Sequence, residues 1–180
     1  MTFLIVALAF VVLLAVVAVF ASLVAVPEGR AFVLERGGKF RAVLGAGRHF
    51  VLPFADRVRA RFDLGPQILS FPPQALHASD GTVVQAMAVV HFRVTDARAA
   101  TYEIANPAIA VEQLTITALR QETGLLTADH AIGSPEDLHR SVWTVLHDTT
   151  PRWGVETVEL ELSVSPAAAP ETPSTAQEWY

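Results

Sequence analysis

The chain has 180 residues, 52% of them hydrophobic, a formal net charge of −5 and no cysteine. That length holds one membrane segment and one folded domain of ordinary size, but not two globular domains. The missing cysteine excludes disulfides, thiolate metal sites and cysteine nucleophiles, and an acidic total with no aromatic residues interleaved in a basic patch argues against a nucleic-acid partner.

The apolar excess sits at the start. From Phe3 to Val26 the chain carries no charge, and its only hydroxyl is Ser22. As a helix these 24 residues would span about 36 Å, enough to cross a hydrocarbon core of about 30 Å with some tilt. Only Met1 and Thr2 precede the run, so it lacks the basic start of a secretory signal, and residues 1–26 are expected to form an uncleaved transmembrane anchor. Charge behind the run is uneven. Residues 28–61 hold eight basic and three acidic side chains, a balance of +5, whereas residues 62–180 hold five basic and fifteen acidic ones, a balance of −10. The positive-inside rule then places the bulk of the chain in the cytoplasm of a single-pass cell-membrane protein. Basic residues beside the bilayer are attracted to anionic headgroups by about 1 kcal/mol each.

Pro27-Glu28-Gly29 breaks the run. Strands are predicted over Ala31 to Glu35, Lys39 to Leu44 and His49 to Phe54, turning at Gly37-Gly38 and Gly45-Ala46-Gly47 into a small antiparallel sheet. "GAGRHF" lacks the third glycine of a dinucleotide fingerprint and the Gly-Lys-Ser/Thr of a P-loop, so its glycines serve turns. In "DRVRARFDL", period two sends Arg57, Arg59 and Arg61 to one face and Val58, Ala60 and Phe62 to the other. The predicted contact set for headgroups or a neighbouring subunit is Arg30, Arg36, Lys39, Arg41, Arg57, Arg59 and Arg61. "FVLPF" is expected to be a core strand, with a dip into the near leaflet as the alternative.

The stretch "FPPQALHASDGTVVQAMAVVHFRV", residues 71–94, alternates from residue 82 onward. Val84, Ala86, Ala88, Val90, Phe92 and Val94 share one face; Val83, Gln85, Met87, Val89, His91 and Arg93 share the other. Thirteen residues at about 3.3 Å each make a strand about 40 Å long, a scaffold element. Asp80-Gly81 suits a turn, and His77 and His91 read as strand residues rather than catalytic ones.

Asp96 opens a connecting segment. Asn106-Pro107 then starts a helix carrying Ile109, Leu114, Ala118 and Leu119 and ending near Gly124. "SPED" starts a second, with Ser134 as cap, Pro135 at the first position and Asp137 completing a near capping box. Its apolar stripe is Leu138, Val142, Val145, Leu146 and Thr149. His139 and His147, eight apart, lack a third ligand. "WGVETVELEL" alternates as a closing strand, and residues 163–180 read as a Pro-rich disordered tail. No nucleophile elbow, HExxH or P-loop occurs, so the sequence offers no catalytic, cofactor-binding or metal-ligating set, and a membrane-bound hydrolase ranks last.

In this order "VPEGRAFVLERGGKF", "GAGRHFVLPFADRV", "FPPQALHASDGTVVQAMAVVHFRVTDARAA", "LRQETG" and "PRWGVETVEL" resemble the stomatin/prohibitin/flotillin (SPFH, Band 7) superfamily over roughly residues 26 to 162. The resemblance implies an α+β Band 7 domain, residues 27–162, with an antiparallel sheet packed with helices behind a single transmembrane helix. It further implies a non-enzymatic, homo-oligomeric scaffold that organises a membrane microdomain, with a membrane protease or an NfeD-type membrane protein as partner. The family's Ala/Glu-rich coiled coil would follow the closing strand, where this sequence has no heptad repeat. A non-oligomerising regulatory subunit that tethers one membrane partner is therefore the second reading.

Overall fold

The computed structural model describes Phe10, Leu13 and residues 22–52 and 55–167. Most of the expected anchor lies outside these residues, and among them no helix is long and apolar enough to cross a membrane. The last four residues of the apolar run, Leu23–Val26, are strand β1 rather than the end of a helix. Of the expected tail, Ser163 to Pro166 extend the closing strand, paired with Met87 to Val84, and from 168 onward it lies outside the described residues.

Two larger sheets and one small one make up the α+β fold. Strands β2 (Arg30–Arg36) and β3 (Lys39–Leu44) form a hairpin closed by Gly37 and Gly38, both at positive φ, and β5 (Asp56–Asp63) pairs with the other edge of β2. Strand β4 (Gly47–Phe50) does not join that sheet as the glycine-punctuated sequence implies. It pairs antiparallel with β1, placing Leu23 across from Phe50 and Val26 across from Gly47. The end of the apolar run supplies the partner strand, which a pattern search within residues 31–54 could not see.

The larger sheet is built on β8 (Val83–Val94). β6 (Gln67–Ser70) and β7 (Gln74–His77) pair with successive parts of one edge of β8, and β9 (Val155–Pro166) pairs with the other. The predicted alternation holds along the whole strand: Val84, Ala86, Ala88, Val90, Phe92 and Val94 are all buried. Helices α2 (Pro107–Leu125) and α4 (Pro135–Thr149) supply the apolar residues opposite this row. Val111, Ala118 and Leu119 of α2 and Leu138, Val142 and Leu146 of α4 follow the 3.6-residue repeat and join β8 in one core. Burying each such Val, Leu or Phe side chain contributes about 1.5–3 kcal/mol.

Several local expectations change. Ile109, counted in the helical spacing of the sequence, is exposed, and Val111 is the buried residue of that turn. Asn106 caps α2 as predicted, its Oδ1 accepting from Ala108 N at 2.9 Å. Ser134 makes no side-chain cap; its backbone N–H donates to His130 O and closes the short helix α3 (Ala128–Gly133) that immediately precedes α4. The expected connection after Asp96 is helix α1 (Ala97–Tyr102), with Asp96 Oδ1 accepting from Arg98 N and Ala99 N. Strict alternation fails in β9, where Val158 is an extra residue between the pairs His91–Glu159 and Phe92–Thr157. This bulge changes parity, so Val155, Thr157 and Leu160 are all buried while Glu159 and Glu161 stay outside.

Between the 3-10 turn Thr150–Trp153 and β9 sits Gly154, at φ 69°. Its carbonyl accepts from both Thr95 N and Asp96 N, and a Cβ built there would lie 2.2 Å from Asp96 O. Neither the left-handed backbone nor the contact tolerates a side chain. Gly154→Ala is expected to destabilise the chain by at least about 1–3 kcal/mol, read as a lowered thermal midpoint in detergent; an unchanged midpoint would contradict this account.

Candidate membrane and partner surface

The basic residues singled out in the sequence gather on the β3-β2-β5 sheet, and the structure sorts them by their neighbours. Asp56 opens β5, and its side chain is fully enclosed. Arg36 reaches it from β2 with two hydrogen bonds, Nε to Oδ1 at 2.7 Å and Nη2 to Oδ2 at 3.1 Å. Arg41 reaches the same carboxylate from β3, and Leu52 N donates to it at 3.0 Å. The Arg36 hydrogen bonds, above all, hold the Asp56 carboxyl below its ordinary value of 3.8, with help from the Leu52 amide and both positive charges against the opposing effect of burial. Two of the seven predicted contact residues therefore neutralise an internal acid.

Arg57, Arg59 and Arg61 are exposed in alternation with Val58, Ala60 and Phe62, as the periodicity required. Arg59 Nε approaches Glu35 Oε1 at 3.6 Å, and the Arg61 guanidinium lies 5.2 Å from the centre of the Phe32 ring. Arg30 stands across from Asp63, at the opposite end of β2 from Arg36. At about 3.3 Å per residue this is about 20 Å away. Lys39 lies beside Arg36 at the hairpin end. The collar expected to act as one belt is thus spread over the length of a strand.

Sequence periodicity did not find the aromatic clasp beside this sheet. Tyr102 of α1 donates its hydroxyl to Glu35 at 2.8 Å and meets Phe40 edge-on, ring centres 6.2 Å apart. Arg98 lies over the other aromatic partner, 4.9 Å from the Phe40 centre. Burial first, then the bond to Glu35, raises the Tyr102 phenol above its ordinary range. The cleft beside it, about 400 Å³, is lined by Phe40, Asp96, Arg98, Ala99, Tyr102 and Glu103.

An apolar surface stands at one end of this sheet. Leu23 and Phe50, paired across β1 and β4, are 53% and 60% exposed, and Leu52 is 44% exposed, whereas Val51 between them is buried. Val51 N donates to Ser22 O and Leu52 N to Asp56, so the point where the apolar run enters the fold, the exposed pair and the Arg36–Asp56–Arg41 cluster share one end of the domain. "FVLPF" is therefore not simply a core strand over its described part.

The histidines and aspartates with suggestive positions have structural neighbours. Asp80 Oδ1 accepts from Thr82 N at 2.9 Å, closing the turn at Gly81 (φ 82°), while its Oδ2 accepts from Ala128 N at 3.1 Å and ties the turn to α3. These amides, Thr82 first, lower its pKa. His91 faces Glu159 across β8 and β9, His139 Nε2 lies 2.8 Å from Leu160 O, and His147 stacks on Trp143. Among the described residues no group of three His, Asp or Glu is placed to hold a metal ion.

Residues 24–172 match the family model for the SPFH domain / Band 7 family. The chain belongs to that family. Within it, the Band 7 chain is 38% identical over 160 residues to an uncharacterized protein of Mycobacterium tuberculosis, covering 88% of this chain and 42% of that protein. It is 30% identical over 137 residues to stomatin-like protein 2, mitochondrial, of Homo sapiens, covering 76% of this chain and 38% of that protein. A stomatin-like protein of Caenorhabditis elegans is 29% identical over the same length. The chain thus spans about two fifths of the length of these curated relatives.

Asp56 and Asp80 both have folded pKa values below their unfolded ones, so the stability they contribute is present above about pH 4 and is lost as pH falls through the folded values. Asp56→Asn is expected to lower the thermal midpoint at neutral pH and to flatten its decline on acidification. Thermal unfolding in detergent between about pH 7 and about pH 2 checks this; parallel curves for the two chains would count against the Asp56 cluster as the source.

Proposed function

We propose that this Band 7 protein is a membrane-anchored scaffold of the stomatin type. The apolar run up to Ser22 holds it to the cell membrane in a single pass, with the bulk of the chain cytoplasmic; the domain from β1 to β9 associates laterally with further copies and organises neighbouring membrane proteins. A membrane protease or an NfeD-type membrane protein is the kind of partner this reading entails, and its chemistry is binding rather than catalysis.

One observation carries the reading: the exposed Leu23–Phe50 pair and Leu52 stand where the uncharged run enters the fold, next to the basic end of the β3-β2-β5 sheet. Exposed apolar side chains beside cations suit a bilayer boundary, where the former enter the acyl region and the latter meet headgroups. In this arrangement Leu23, Phe50 and Leu52 seat the domain on the near leaflet. Lys39 and Arg57 serve anionic headgroups at the same end, and Arg36 and Arg41 contribute only the charge left over after Asp56. Arg30 lies too far along β2 to share that contact.

The test exploits the absence of cysteine. Phe50→Cys and Met87→Cys chains are reconstituted in vesicles containing anionic lipid and exposed to a membrane-impermeant thiol reagent. Position 50 is expected to be protected and position 87, on the open face of the larger sheet, to react freely. Equal reactivity at both positions would overturn the proposed seating.

A further inference from the structure

Two edge strands of this fold carry opposite charge and pair on one side only. Among the described residues the only strand paired with β5 is β2 and the only strand paired with β9 is β8; the outward carbonyl of Leu160 on β9 accepts from His139 Nε2 at 2.8 Å, a bond that docking displaces. Along β5 the exposed row is Arg57, Arg59 and Arg61, ending in Asp63. Along β9 the exposed acids include Glu159 and Glu161, neither of which forms an ion pair with another described residue, whereas Glu156 is matched by Arg93 at 2.8 Å. Both rows repeat every second residue, about 6.6 Å along a strand.

We infer that β5 of one copy docks edge to edge against β9 of the next, the arginine row meeting the glutamate row. This deepens the scaffold reading, on whose lateral association it rests. Like charges placed directly opposite destabilise a strand pair and opposite charges stabilise it. Centred pairing of β5 with β5 would set Arg59 or Arg61 against its own kind, and pairing β9 with β9 would leave Glu159 and Glu161 facing each other or serine; the mixed contact gives each of the four an opposite charge. The charges that protect each edge from its own kind thus select the other edge. Because the two edges belong to different sheets, each copy offers both, and the contact is head-to-tail, propagating into a ring or an open row. No coiled coil is required. Antiparallel pairing, the more stable arrangement per residue, sets Arg61 across from Glu159, Arg59 across from Glu161 and Ala55 across from Ser165.

The test uses the full chain in lipid nanodiscs or vesicles. Chains carrying Ala55→Cys alone and Ser165→Cys alone, both at exposed positions, are mixed and oxidised. A disulfide-linked dimer is expected from the mixture, and little from either chain by itself. Adding Arg59→Glu and Arg61→Glu to both cysteine chains abolishes it, as does adding Glu159→Lys and Glu161→Lys. Combining all four reversals in each chain restores it, which a chain that had merely failed to fold would not do. Symmetric cross-links in the single-variant samples, or a mixed dimer indifferent to the reversals, would overturn the inference. Native mass separates the two levels: several copies per assembly without the mixed cross-link removes the edge contact but leaves lateral association, while a single copy under all conditions removes both.

Discussion

Twelve consecutive residues of β8 impose the constraint on which the larger part of the molecule depends. Their inner row is buried without exception, so every element that touches it must supply an apolar surface in register, and helices α2 and α4 do so with stripes at helical spacing. The length of the strand also explains its three partners. β6 and β7 are each too short to cover it and share one edge in succession, while β9 runs the full length of the other. A strand this long, held on both edges and covered on one face, is a rigid slab with an open side.

The smaller sheet follows a different logic. Its core cluster is modest, Ala31, Val33 and Ala97 with Ala60, Phe62 and Leu64 against them. The enclosed carboxylate of Asp56 adds a polar fastening at one end, joining β2, β3 and the segment after β4. A buried charge stripped of its partners is costly, so this cluster tends to keep or lose its members together. Its position matters because the apolar run enters the fold at the same end. The fastening ties the segment bonded to Ser22 to the sheet through Leu52, and in the scaffold reading it therefore holds the entry of that run against the domain.

Much of this was legible in the sequence, and the failures have physical causes. Period two identified both faces of β5 and β8, because each strand buries one side only. Asn106-Pro107 and Ser134-Pro135 located two helix starts, since a proline at the first turn needs no donor. Val158 broke the alternation of β9 because a bulge leaves no mark in composition. β1 was hidden inside a run whose hydrophobicity suits a helix in lipid and a strand against β4 equally well. The arginines were visible as charges, but Arg36 and Arg41 could not be assigned to Asp56, since fifteen to twenty residues of chain separate the partners. The same blindness hid the second bond of Asp80: turn chemistry is local, whereas its bond to Ala128 spans 48 positions.

The bulge at Val158 makes this position of the closing strand dispensable in a way its neighbours are not. Its side chain is exposed, so many residue types fit there. Removing the position leaves Val155, Thr157, Leu160 and Leu162 alternating with Glu156, Glu159 and Glu161, and keeps Thr157 across from Phe92 and Glu159 across from His91. Among relatives of this chain, variation at this site should therefore include gaps as well as changed letters, as a spare bead can leave a string without altering its pattern.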